Sequence, residues 1–201
     1  MQLVLATHNK GKIREIMKLL DGVDVNVTSL GDHPEVPEVI EDGATFLENA
    51  RKKAHAVARA TDSWALADDS GLEVRALGGR PGIHSARYAG RQGDHAANNR
   101  KLLEEMRDVP DGQRQAAFVC VVALAAPDGR EWTVEGRCEG EIGRQLKGSG
   151  GFGFDPLFFL PVEGKTMAEL PLEQKNAISH RGQALRKIRE IVVEIAKGPK
   201  D

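Results

Sequence analysis

The chain has 201 residues, 40% of them hydrophobic and 29% charged, with 28 Lys and Arg against 30 Asp and Glu and a formal net charge of −2. That size and composition suit one folded domain over residues 1–201, or two small lobes, and exclude a mainly disordered chain. The even charge balance argues against a bulk grip on nucleic acid or an anionic membrane, and six Phe, two Trp and one Tyr are too few for a long base-stacking platform.

Gln2 to Ala6 is a short apolar run that reads as a strand, broken by Thr7-His8-Asn9-Lys10-Gly11. Ile13, Ile16, Met17 and Leu20 then recur at helical spacing, with Lys12, Arg14, Glu15 and Lys18 off the stripe. Thr45-Phe46-Leu47-Glu48 has the spacing of a capping box and opens a second helix. Ser63 to Ala67 is a strand candidate ending at Asp68-Asp69-Ser70-Gly71, and a separate short strand follows at Leu72 to Ala76. Asp94 caps a helix carrying Leu102, Leu103 and Met106, which stops before Pro110. Ala116 to Ala126 reads as a buried strand, too short to span a bilayer, and Pro127-Asp128-Gly129 turns it back into Glu131 to Glu135. Pro156 to Pro161 is another strand-like run, and Leu185, Ile188, Val192 and Ile195 line a C-terminal helix. Strands and helices alternate first and hairpins follow, which predicts an α/β fold with a mixed sheet.

Cys120 and Cys138 form neither a zinc framework nor a C-x-x-C pair, which suits a reducing cytoplasm, and no secretory leader is expected at the N-terminus. Gly148 to Gly153 has the spacing G-x-G-x-x-G, but an apolar strand rather than a helix follows it, so the dinucleotide reading fails. Gly164-Lys165-Thr166 lacks the preceding glycine of a P-loop, because Phe159 stands there.

Five segments carry the chemistry. Thr7 to Lys12 joins a strand to a helix start, where backbone N–H groups, the helix dipole and two lysines suit an anion; a solvated polar loop accounts for it equally. Asp68-Asp69-Ser70-Gly71 places carboxylates at a strand end, suited to Mg²⁺ or simply to a turn. Glu38, Glu41 and Asp42 precede a helix whose dipole favours acids without any metal. Gly148 to Asp155 combines glycines with Phe152 and Phe154, a wall that can approach and stack on a base, or a hairpin tip with core phenylalanines. Lys175, Ser179, His180 and Arg181 open the last long helix, where the four-residue spacing lets Lys175 and Ser179 share a face. They supply donors for carbonyl or phosphate oxygens, or form a basic solvated helix start, though cations are normally favoured at the other end of a helix. Carboxylates, lysines and a Gly-aromatic loop without a nucleophile and base suit metal-assisted attack of water on a nucleotide phosphate.

These segments resemble the inosine triphosphate pyrophosphatase family. The resemblance rests on Ala6-Thr7-His8-Asn9-Lys10-Gly11-Lys12, Thr45-Phe46-x-Glu48-Asn49-Ala50, Ala67 to Leu72, Gly151-Phe152-Gly153-Phe154-Asp155-Pro156 and Ser179-His180-Arg181-Gly182, in this order along nearly the whole chain. It implies an elongated mixed sheet flanked by helices, in two lobes with a central cleft. It also implies a cytoplasmic homodimer that uses Mg²⁺ to split ITP, dITP or XTP into the monophosphate and pyrophosphate. By matching position, Thr7, His8, Asn9, Lys10, Gly11 and Lys12 hold the triphosphate and Lys53 faces the phosphates. Asp69 is the general base, and Glu41, Asp69 and Asp68 serve the metal. Ser70 contacts substrate, while Phe152, Gly153, Phe154, Asp155, Lys175, His180 and Arg181 surround the base and sugar-phosphate. His8 stands where a small residue is common and Phe154 where Tyr is common. The resemblance implies no nucleic-acid or membrane partner. The rivals are a pyrophosphatase for pyrimidine or methylated nucleotides and a non-catalytic nucleotide-binding dimer.

Overall fold

A computed structural model describes residues 1–198. In chain order the regular elements are β1 (Gln2–Leu5), α1 (Lys10–Leu19), β2 (Asn26–Ser29), α2 (Phe46–Thr61), β3 (Trp64–Val74), α3 (His95–Glu105), β4 (Gln115–Ala125), β5 (Glu131–Ile142), β6 (Phe158–Leu160), β7 (Lys165–Thr166), α4 (Leu172–Ile178) and α5 (His180–Ala196). The strands form one mixed sheet in the order β2-β1-β3-β4-β5-β6-β7, so the α/β expectation holds. β1 runs parallel to both β2 and β3, with Leu3 opposite Trp64 and Leu5 opposite Leu66, whereas β6 is antiparallel to β5 and β7. Among the described residues no helix is long and apolar enough to cross a membrane.

The chain divides into two compact units, the first built from Met1–Asp69, Cys120–Glu135 and the stretch from Ala184 onward, the second from Ser70–Val119 and Gly136–Gln183. In the first, Leu3 and Leu5 of β1, Leu66 of β3 and Cys120, Val122 and Leu124 of β4 pack with Ile16 and Leu20 near α1 and with Leu185, Ile188 and Val192 of α5. Those positions repeat at two along the strands and at three to four along α5, as one buried strand face and one helix stripe require. In the second, Leu72, Val74, Ala116, Phe118, Ile142 and Phe158 pack with Leu102 and Met106 from α3 and the residue after it.

Several elements depart from the sequence reading, each for a physical reason. Met17 is half exposed, so only Ile16 and Leu20 of its stripe are fully buried, with Ile13 partly so. The two short strands expected on either side of Asp68 to Gly71 are one continuous β3. Asp-Ser-Gly favours a turn locally, but here Asp68 and Asp69 find partners and the polar stretch stays in the strand. Lys175 lies in α4, not in the last helix: the extended backbone of Ser179 (φ −65°, ψ 152°) separates α4 from α5. β2, with intermediate burial and no apolar alternation, escaped the sequence reading. The Thr45 cap is present, its hydroxyl accepting from the Glu48 N–H, while the Glu48 carboxylate accepts from Ala44 rather than closing the box on Thr45.

Candidate active site

In the first unit, α1, α2 and β3 bring an acidic and basic cluster together. Asn9 caps α1, its Oδ1 accepting from the N–H of Gly11 at 2.9 Å and of Lys12 at 3.2 Å, while the Thr7 hydroxyl accepts from the Asn9 N–H at 3.1 Å. Thr7 and Asn9 therefore shape the loop, and their side chains are engaged in it. Lys10 and Gly11 already belong to the first turn of α1, and His8 and Lys10 are exposed. Lys12 projects from that turn to Asp68, Nζ to Oδ2 2.7 Å. From α2, Lys53 reaches both Glu41 Oε1 and the Asp68 carbonyl at 2.7 Å. Asp69, almost fully buried, accepts a hydrogen bond from Asn49 Nδ2 at 3.0 Å.

The electrostatics of this cluster are those of a buried carboxylate beside cations. Burial pushes the Asp69 carboxyl above the usual carboxylate range; Lys53, the Asn49 hydrogen bond and Lys12 pull it down without cancelling the rise, and Glu41 adds to it. For Lys53, burial works to lower the proton affinity, but Asp68, Asp69 and Glu41 together outweigh it and hold the ammonium above its ordinary value. Lys53 is thus a permanent cation, and Asp69 is more basic than an exposed aspartate.

The second unit gathers the Gly-rich segment, the end of α4 and the start of α5. Asp155 is buried, and its Oδ2 accepts from Lys175 Nζ at 2.5 Å and from the Phe152 N–H at 2.8 Å. That bond folds the loop tightly enough that a Cβ on Gly151, whose φ is +72°, would lie 2.0 Å from Asp155 Oδ2, so only glycine fits there. The Phe152 ring is 42% exposed, with Lys175 Nζ 5.1 Å and Arg181 Cζ 5.5 Å from its centroid, inside cation–π range. Arg181 also donates to the Ser70 hydroxyl at 3.1 Å. His180 is buried and stacked on Phe118, centroids 4.8 Å apart. Phe154 is 3% exposed and meets Tyr88 edge-on in the core, so its ring faces the core while that of Phe152 is partly exposed. Asp155 and Lys175 likewise hold each other and the loop.

Residues 3–191 match the Ham1 family. The chain belongs to the Ham1 family. A family member from Desulforamulus reducens, named dITP/XTP pyrophosphatase, is 56% identical over 192 residues, which is 96% of each chain. One of the same name from Geobacter sulfurreducens is 54% identical over 94% of this chain and 95% of its own. The Ham1 fold is equally plain: the structure of a HAM1 protein from Coxiella burnetii has a TM-score of 0.91 at 41% identity, covering 96% of this chain and 99% of that one.

Two positions in this Ham1 chain escaped the sequence reading as site residues. Asn49 was visible only as one letter of a motif, because its importance lies in a side-chain contact 20 residues away along the chain. Asn99 of α3 donates to the Gly153 carbonyl at 2.8 Å and ties down the glycine-rich loop; an Asn inside an amphipathic helix gives no pattern from which that bond could be read.

Proposed function

We propose that the protein hydrolyses nonstandard purine nucleoside triphosphates (ITP, dITP and XTP) to the monophosphate and pyrophosphate. It is a nucleoside-triphosphate pyrophosphatase of the Ham1 family. The observation that carries the reading is Asp69: a buried carboxylate of raised proton affinity beside Lys53 and Lys12, in a chain more than half identical to a dITP/XTP pyrophosphatase.

The residues take their roles from their chemistry. Asp69 accepts a proton from the water whose oxygen attacks the α-phosphorus; the new P–O bond forms as the bond to the pyrophosphate oxygen breaks, and the proton later passes to solvent. Lys12 and Lys53, on the first turn of α1 and on α2, bind phosphate oxygens and stabilise the leaving pyrophosphate, with Lys10 and the α1 N-terminus beside them. Glu41 with one of the two adjacent aspartates, Asp69 or Asp68, would hold Mg²⁺, because neighbouring residues of the continuous strand β3 face opposite sides. Their oxygens are the hard donors that this ion prefers, and it commonly takes one or two carboxylates together with phosphates and water. Among the described residues no group of three or more His, Cys, Asp or Glu side chains could hold an ion alone, so the rest of its ligands would come from phosphate and water. When bound, the ion supplies neutralisation of the phosphate oxygens.

For the base, Phe152 offers a partly exposed aromatic face and Arg181 and His180 offer donors. Donors favour the 6-keto group of hypoxanthine and xanthine, whereas the amino group of adenine would leave donors facing each other, at about 1–3 kcal/mol for each unsatisfied buried group. The family resemblance further supports a cytoplasmic homodimer as the working form.

Pyrophosphate release from ITP, dITP, XTP, GTP, ATP, pyrimidine and methylated triphosphates, each with Mg²⁺ and with EDTA, tests the reading. It predicts turnover of the first three with Mg²⁺ and loss of turnover in EDTA. Preference for ATP or for pyrimidines would overturn the substrate assignment, and undiminished turnover in EDTA would overturn the metal assignment.

A further inference from the structure

Asn49 is 1% exposed, and both ends of its amide are engaged. Nδ2 donates to Asp69 Oδ2 at 3.0 Å, and Oδ1 accepts from the Gly43 N–H at 2.8 Å. These two bonds determine the orientation of the amide. Rotated by half a turn, it would set an oxygen against the Asp69 carboxylate and an NH2 group against the Gly43 N–H, two repulsive contacts at a buried amide. Gly43 is needed for the second bond, since a Cβ there would lie 2.7 Å from Asn49 Oδ1 and 2.8 Å from the Glu48 Cβ. Gly43 follows Glu41 by two residues, so one buried amide ties the Glu41 loop to Asp69.

We propose that Asn49 is the positioning residue of Asp69, holding the plane of its carboxylate and keeping it in register with the Glu41 loop. The inference rests on the hydrolytic role proposed for Asp69. A carboxylate must meet both its water and its neighbouring groups within a few tenths of an ångström, and a misplacement of about 1 Å can lower a rate by about 100-fold. Loss of Asn49 therefore acts on turnover more than on substrate affinity, because the Asn49 side chain bonds Asp69 and Gly43 rather than the lysines or Phe152. Gly43 acts through the same amide.

The test is a double-mutant cycle on the full chain, with ITP turnover, KM and thermal unfolding measured for Asn49→Ala, Gly43→Ala and the pair. Asn49→Asp is included as a variant of nearly identical shape that places an oxygen where Nδ2 stands. The proposal predicts a kcat about 10- to 100-fold lower for Asn49→Ala and Asn49→Asp, KM within about threefold of wild type, and no further kcat loss when Gly43→Ala is added to Asn49→Ala. Unchanged kcat in both Asn49 variants would overturn it, as would kcat losses that add in the pair or that follow the loss of thermal stability. A wild-type protein that releases no pyrophosphate from ITP would defeat the proposed function itself, and so is distinguishable from failure of the Asn49 role.

Discussion

Asp69 meets two opposed demands. Burial raises its affinity for a proton, while Lys12, Lys53 and Asn49 keep that affinity from rising further. Burial alone would favour the protonated form of a carboxyl group, and neighbouring cations and hydrogen-bond donors favour the charged form, so the two influences on Asp69 oppose each other. Asp69→Asn keeps the volume and removes the proton acceptor. It is expected to lower kcat for ITP by at least about 100-fold with the unfolding temperature unchanged or raised, since a buried charge is replaced by a neutral amide. Steady-state kinetics beside thermal melts check this, and near-wild-type turnover would remove the base assignment.

At the scale of elements, the glycine-rich segment is organised by Asp155 rather than by regular structure. Gly151 is its tightest point, and Gly151→Ala would drive a methyl into Asp155 Oδ2 and bring it 2.8 Å from Lys175 Nζ, at a positive φ. The expected result is a loss of about 1–3 kcal/mol in stability together with a raised KM for ITP, as Phe152 shifts; an unchanged KM would show that the loop does not contact substrate. The long elements were legible from the residues alone. The Thr45 cap, the Asp94 cap and the stripe Leu185, Ile188, Val192 follow local rules and stand where those rules put them. The short β2, the unbroken β3 and the break at Ser179 depend on partners elsewhere in the chain. Asp68 and Asp69 can remain within a strand only because Lys12 and Asn49 arrive from α1 and α2 to meet them. The acids and lysines of the candidate site were visible as residue types in motifs, but the division between Phe152, which presents a face, and Phe154, which fills the core, needed the fold.

Across the molecule, pH acts on stability through pairs away from this cluster as well. In the first unit, burial pushes the Glu131 carboxyl upward, but hydrogen bonds from Arg51 and His55 outweigh it and hold it below the ordinary glutamate value. A carboxylate whose folded pKa is depressed contributes stability above its unfolded pKa and loses it as pH falls through the folded one. Glu131→Gln should therefore cost about 1 kcal/mol at neutral pH, and the gap to wild type should close as the pH drops below the usual glutamate range. Urea unfolding midpoints across that pH range check it, and a gap independent of pH would refute the linkage.

The central claim is that Asp69 delivers water to the α-phosphorus of a purine nucleoside triphosphate. Hydrolysis of ITP in heavy-oxygen water, read by mass spectrometry of both products, tests it most directly. The account predicts the label in the inosine monophosphate and unlabelled pyrophosphate; label in the pyrophosphate, or release of orthophosphate in its place, would contradict it.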